Sequence, residues 1–168
     1  MDAENNRTRG TVSFSESIVI KASPEDAFAF LGDPTTAERI DPAIISYVSD
    51  TVPMAVGTIN TVRARIFGMR LTTVTRVLVW ESGRRMVIES VKPSSPVKGI
   101  ATHLFEPHAD GALYTWSMDI VPTGFAGGVA ARFFRRFMQR NAVAQQVLLK
   151  QALEGTPPPP TGSTSWRC

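Results

Sequence analysis

Several side chains in this sequence have the type and spacing to do chemistry. His103 alternates with Gly99, Ala101 and Phe105, so on a β-strand it shares their face, and Trp116 alternates in the same way with Tyr114, Met118 and Ile120. Either set would line an internal pocket. An enclosed imidazole titrating near neutrality suits general acid/base work, whereas a lone histidine on a strand also serves as a packed or surface residue. Arg63 and Arg65 share one strand face with Ile59, Thr61 and Phe67. The pair would recognise a carboxylate or phosphate at a cavity mouth, or else belong to a solvated outer surface. Phe133, Phe137 and Asn141 recur at helical spacing and suggest a further lining face, or core packing for the two phenylalanines. Asn141, if buried there, needs a hydrogen-bond partner from protein, water or ligand. His108 falls in a turn. No HxxE or HxH spacing and no carboxylate cluster offers a metal site, and spacing locates no Ser-His-Asp constellation, so neither a metal nor a cofactor is expected.

The elements that position these groups follow from periodicity. TVSFSESIVIKA, beginning at Thr11, alternates and is rich in β-branched residues, which predicts a first strand. Ser23-Pro24-Glu25-Asp26 then reads as a helix start: a capping hydroxyl, proline at the first helical position and an acid that completes a box-like pattern. Gly32-Asp33-Pro34 stops that short helix, and a second runs over 35–40 before Asp41-Pro42. Strands are predicted over about 44–51, 57–67, 70–81, 84–92, 97–107 and 111–121, separated by turn-forming residues short enough to join antiparallel neighbours. Strands and helices do not alternate, which argues against a Rossmann or other parallel α/β fold. From Gly124 the sequence becomes a long helical stretch closed by Gly155 and prolines. Val129, Phe133, Phe137, Ala144, Leu148 and Ala152 keep approximately helical spacing, so this face is expected against the sheet. The glycine-rich Gly124–Gly128 reads as a gate or as a wide turn.

Length and composition bound the remaining possibilities. A chain of 168 residues with 43% hydrophobic and 20% charged residues is one folded domain with a substantial core. The expected organisation is a disordered N-terminus over 1–10, a folded domain over 11–154 and a proline-rich flexible tail over 155–168. A net charge of only +3 gives little reason to expect a nucleic-acid partner. The single cysteine, Cys168, excludes an intramolecular disulfide and fits a reducing compartment. With no secretory pattern at the start and no run of apolar residues long enough to span a bilayer, a cytoplasmic location is expected.

One strand, two short helices, a six-stranded meander and a long C-terminal helix resembles the helix-grip order of the SRPBCC superfamily, also called START-like or Bet v 1-like. The resemblance covers Val12 to Glu154. Within it, SIVIKASPEDAFAFLGDPTTAERIDP is similar to the opening of the polyketide cyclase/dehydratase group, carried by Ser23, Pro24, Glu25, Asp26, Phe28, Leu31 and Asp33; Val56-Gly57 and the helix end VLLKQALE also match. The resemblance implies an α+β fold in which a curved antiparallel sheet of about seven strands grips the long helix around an apolar cavity. Aromatic polyketide cyclases of this group carry a Trp after the second short helix, a Tyr seven residues later and an Arg on a central strand. These align with Ile40, Tyr47 and Arg76, so the tyrosine and arginine are present and the tryptophan is not. By that resemblance Arg76 would hold an enolate oxygen and Tyr47 would donate or relay a proton; the alternative expectation is that Arg76 lies on the solvent face of the meander.

Two functions follow as expectations. The first is a ligand-binding or carrier protein for a hydrophobic small molecule, a lipid or a polyketide-like compound. The second is a cofactor-independent cyclase or dehydratase acting by aldol-type closure in the same cavity. A third, from the mixture of phenylalanine and arginine in ARFFRRFMQR, is peripheral lipid transfer at an anionic membrane. Either a monomer or a homodimer is compatible with the sequence.

Overall fold

The structure, a computed structural model, describes residues 11–66, 68–92, 97–122 and 127–155. The N-terminal segment, the tail beyond Gly155, Phe67 and the first part of the glycine-rich stretch lie outside the described residues. The elements follow in the expected order: β1 (Val12–Ile20), α1 (Pro24–Leu31), a 3-10 turn (Pro34–Thr36), α2 (Ala37–Ile40), then β2 (Ile44–Ser49), β3 (Ile59–Ile66), β4 (Met69–Glu81), β5 (Arg85–Lys92), β6 (Val97–His108), β7 (Gly111–Pro122) and α3 (Gly127–Glu154). The strands form one seven-stranded antiparallel sheet in the order β1-β7-β6-β5-β4-β3-β2, so the meander from β2 to β7 ends beside β1. This is the α+β helix-grip architecture.

Local chemistry sets the boundaries. Ser23 caps α1, its hydroxyl accepting the Asp26 N–H at 3.0 Å, with Pro24 opening the helix. Asp33 caps the 3-10 turn in the same manner through Thr35 N–H at 2.9 Å. On the inward face, Phe14, Ile18 and Ile20 of β1 and Tyr114, Trp116, Met118 and Ile120 of β7 build the core with Phe28 of α1 and Ala131, Ala142 and Leu149 of α3.

The two flanks of α3 differ, and that difference makes the interior hollow. One flank is stitched to the edge of β1. Lys150 Nζ donates to Val19 O at 2.7 Å, Gln146 Nε2 to Glu16 O at 2.8 Å, Gln139 Nε2 to Glu16 Oε1 at 2.6 Å, and Lys21 N–H donates to Glu154 Oε1 at 2.8 Å. These bonds occupy part of the backbone of an edge strand that would otherwise invite pairing with another chain. The helix packs mainly on β1 and β7, and over β3 and β4 it stands away from the curved sheet.

The helical face against the sheet is rotated from the one expected. Val129 and Phe133 are 67% and 70% exposed, and Ala144 is exposed, while Ala131, Ala142, Gln145, Gln146 and Leu149 are buried. Adjacent residues on an α-helix point about 100° apart. The stripe through Phe134 and Met138 therefore excludes Phe133.

Candidate functional site

Two adjoining compartments lie between α3 and the sheet, with Ile44 on the border of both. The outer one encloses about 180 Å³ among Val62, Ala64 and Ile66 of β3, Thr73 and Thr75 of β4, Ser90, Gly99 and Met118 on the sheet, and Phe134, Phe137, Met138 and Asn141 of α3. The inner one, about 80 Å³, is closed by Leu31, Ile40, Tyr47, Met54, Met86, Ile88, His103 and Gln145. Most of the walls are aliphatic or aromatic. Among the described residues no lysine or arginine lines either compartment.

His103 sits on the inward face of β6, opposite Trp116 of β7. Its ring stacks on Trp116 with centroids 5.7 Å apart, and Nδ1 lies 2.7 Å from Tyr114 Oη. Burial lowers its pKa to about 4, because the imidazolium would lose its hydration, so the ring is neutral at physiological pH. The same loss of water pushes Tyr47 up to about 12 and raises Tyr114. Tyr47 Oη reaches the Met54 thioether at 4.0 Å, a weak contact, leaving its hydroxyl beside the inner compartment. A neutral imidazole on β6 and an un-ionised phenol on β2, both lining one compartment, are groups that can accept and relay a proton.

Asp41 and Gln145 escaped the sequence reading. Asp41 Oδ1 accepts the Ala43 N–H at 2.9 Å and Oδ2 accepts from Asn141 Nδ2 at 2.9 Å, tying the loop after α2 to α3 at the outer compartment. Burial raises its pKa, partly offset by the hydrogen bonds from Ala43 and Asn141. Its position before Pro42 reads only as a helix stop in the sequence. Gln145 is buried, and its Oε1 has no hydrogen-bond partner among the described residues.

The structure brings some of the expected site residues together and separates others. Tyr47 and His103 share the inner compartment; Met118, Phe137 and Asn141 line the outer one. Trp116 is inward and buried, packed against His103 and Phe14. The arginines require correction. Val62, Ala64 and Ile66 occupy the inward face of β3, so the alternate residues Arg63 and Arg65 point outward and are exposed, with Arg65 opposite Arg70 of β4. Arg76 likewise lies on the outer face, where its Nη2 pairs with Glu89 Oε1 at 3.0 Å. It cannot hold an enolate inside. Phe133 points to solvent from α3, and Phe67 lies outside the described residues. Among the described residues no group of three or more His, Cys, Asp or Glu gathers as a metal site.

A curved antiparallel sheet closed by one long helix over a mostly apolar hollow defines the helix-grip class of domain. The chain belongs to the polyketide cyclase / dehydrase and lipid transport family, whose model matches residues 11–154. Among solved structures it is similar to the di-domain ARO/CYC StfQ from the steffimycin biosynthetic pathway, with a TM-score of 0.77 at 15% identity over 90% of this chain and 54% of that one. It is similar to the Zhui aromatase/cyclase from Streptomyces sp. R1128, with a TM-score of 0.75 at 13% identity over 86% and 94% of the two chains. Ara h 8.0201 gives a TM-score of 0.59 at 17% identity over 83% of this chain and 99% of that one. The chain thus spans about half the length of the di-domain proteins it resembles. At these identities the likeness is one of fold. No curated protein sequence matches the chain.

Proposed function

We propose that this protein binds an uncharged hydrophobic small molecule, a lipid or a polyketide-like compound, in the cavity under α3 and acts as its carrier. The observation that carries this reading is the lining: mostly apolar walls with a few hydroxyl, amide and imidazole groups, the carboxyls of Asp33 and Asp41 at the edges and, among the described residues, no lysine or arginine. A fatty-acid carboxylate would be desolvated there without a cation to compensate it, at a cost that favours neutral ligands. Native mass spectrometry of the protein purified from its source, with identification of retained organic molecules, tests the proposal. A neutral lipid or polyketide supports it. Retention of free fatty acids alone, or an Ala64→Trp variant that retains the same molecule as fully as wild type, refutes it.

A second reading, a cofactor-independent cyclase or dehydratase, is supported by one arrangement, His103 and Tyr47 lining the same compartment, although burial lowers the His103 pKa to about 4 and makes it a weaker base than an imidazole titrating near neutrality. His103 would take a proton from a carbon beside a ketone while Tyr47 returns one to the oxygen. Turnover of a linear poly-β-ketone that disappears in His103→Gln would establish it; equal turnover in the variant would remove His103 from the mechanism. The outward-facing Arg76 lends it no support.

The ligand has to arrive from somewhere, and the outer side of α3 offers a route. Exposed Val129 and Phe133 lie among exposed Arg132, Arg135, Arg136 and Arg140, a combination suited to shallow contact with anionic lipid. No described helix is long and apolar enough to cross a membrane. We propose that the protein is cytoplasmic, monomeric or homodimeric, and touches membranes transiently through this face of α3. Vesicle sedimentation with no preference for anionic lipid would argue against the contact.

A further inference from the structure

The pairing register of the sheet assembles a row of polar side chains across its concave face. Ser49 of β2 lies opposite Asn60 of β3, Asn60 opposite Thr75 of β4, and Thr75 opposite Ser90 of β5. Val62 and Ile88, on the inward face of the same strands, are apolar, and Thr73 adds a further hydroxyl on β4. Thr75 and Ser90 line the outer compartment.

Only part of this row is satisfied within the protein. Ser49 Oγ donates to Asn60 Oδ1 at 2.6 Å, and Ser90 Oγ accepts the Gly99 N–H at 3.3 Å. Between them, Asn60 Nδ2 and Thr75 Oγ1 are buried and have no hydrogen-bond partner among the described residues. Asn60 is fully buried, at 0% exposure. Leaving such groups unpaired costs free energy that an apolar pair of similar shape would avoid, so packing alone does not account for them. The amide N–H offers a donor and the threonine hydroxyl can donate or accept, which is what a neutral oxygen requires.

We propose that Thr75, which lines the outer compartment beside the buried Asn60, forms a recognition subsite for an uncharged oxygen, a ketone, ester or hydroxyl, on the ligand held there. The inference rests on the reading of that compartment as a ligand site and adds to it the determinant of specificity. The hydroxyl of Thr75 would orient the ligand with its oxygen toward the sheet and its hydrocarbon toward Phe134, Phe137 and Met138, while Asn60 stays within the wall on the neighbouring strand. Neither residue carries a charge, so the subsite discriminates by the presence of an oxygen rather than by ligand ionisation.

The test compares 1-tetralone with tetralin, bicyclic molecules of nearly the same shape that differ by one carbonyl oxygen, by calorimetric titration of the full chain. Wild type should bind tetralone more tightly. Thr75→Val should weaken tetralone by about 3- to 10-fold, the range for one hydrogen bond, and leave tetralin within about twofold. The thermal stability of Thr75→Val without ligand should be equal or higher, because an unpaired buried hydroxyl has been removed. Thr75→Ser, which keeps the hydroxyl, should retain the preference and guards against a variant that fails to fold. Equal losses for both compounds, or no loss for either, would overturn the subsite while leaving the cavity reading intact. Failure of wild type to bind either compound would count against the cavity reading itself, and the subsite would fall with it.

Discussion

Acidification should cost this protein stability through one side chain, His103. The imidazole is 8% exposed on the inward face of β6, and burial takes its pKa from 6.5 to about 4. The unfolded chain binds this proton as the pH falls through 6.5, whereas the folded chain resists until about 4. Between those values the unfolded state holds more protons, so the stability contributed by the neutral ring is present above the window and is lost as pH falls through it. Each pH unit inside the window is worth about 1.4 kcal/mol. His103 alone should therefore remove about 2 kcal/mol by about pH 5 and about 3 kcal/mol across the whole window, a large share of the about 5–15 kcal/mol that holds most domains folded.

His103→Gln isolates this effect. Glutamine retains a polar end that can bond Tyr114 Oη, which lies 2.7 Å from the imidazole, but it does not titrate. Chemical denaturation of wild type and variant at about pH 7.5 and about pH 5 gives four stabilities, and groups common to both proteins cancel in the double difference. Wild type should lose about 2 kcal/mol more than the variant between the two conditions. Equal losses would mean that the native imidazole is hydrated or already protonated. A neutral proton acceptor in a dry inner compartment would then be untenable.

Three further outcomes are expected. Gly111→Ala should destabilise the fold by at least about 2 kcal/mol in thermal or denaturant unfolding, because φ is +132° and a Cβ would meet Ile20 O and the Ala22 backbone. Phe137→Ala should weaken binding of a cavity ligand and lower stability by about 2 kcal/mol, whereas Phe133→Ala should stay within about 0.5 kcal/mol of wild type in unfolding. Arg76→Ala should leave ligand affinity unchanged in titration and cost at most about 1 kcal/mol, since its ion pair with Glu89 lies on the half-exposed outer face.

The order of elements was legible because each one announces itself locally. Ser23-Pro24 starts α1, alternation and β-branching mark the strands, and the prolines after Gly155 close α3. Which face of a strand looks inward was not legible for the arginines. On β3 both faces mix polar and apolar residues: Ile59, Thr61, Arg63 and Arg65 on one, Asn60, Val62, Ala64 and Ile66 on the other. Register shifts between Ile44 and Ser46 and again between Val77 and Val79 change the parity along neighbouring strands, so counting from a known inward residue fails. On α3 the error has another source. Gln145 and Gln146 belong to the buried face, one beside the inner compartment and the other bonded to Glu16 O of β1. A polar residue is assigned to a buried face only when the group it serves is known, and here that group is more than a hundred residues away.

The same argument applies with more force to the polar row on the concave face. Ser49, Asn60, Thr75 and Ser90 are separated by 11, 15 and 15 residues, and each is an ordinary strand residue in its own segment. Only the register of β2 to β5 makes them neighbours, so neither spacing nor local pattern can reveal them. Nor does similarity of fold, since structures at 13–17% identity share the curvature of the sheet without fixing which side chains stand at a given rung. In this architecture the backbone determines that a hollow exists, and cross-strand pairs determine what it prefers to hold. Specificity should therefore respond to substitutions at Thr75 that leave the fold untouched, and it should be insensitive to the exposed arginines of β3 and β4.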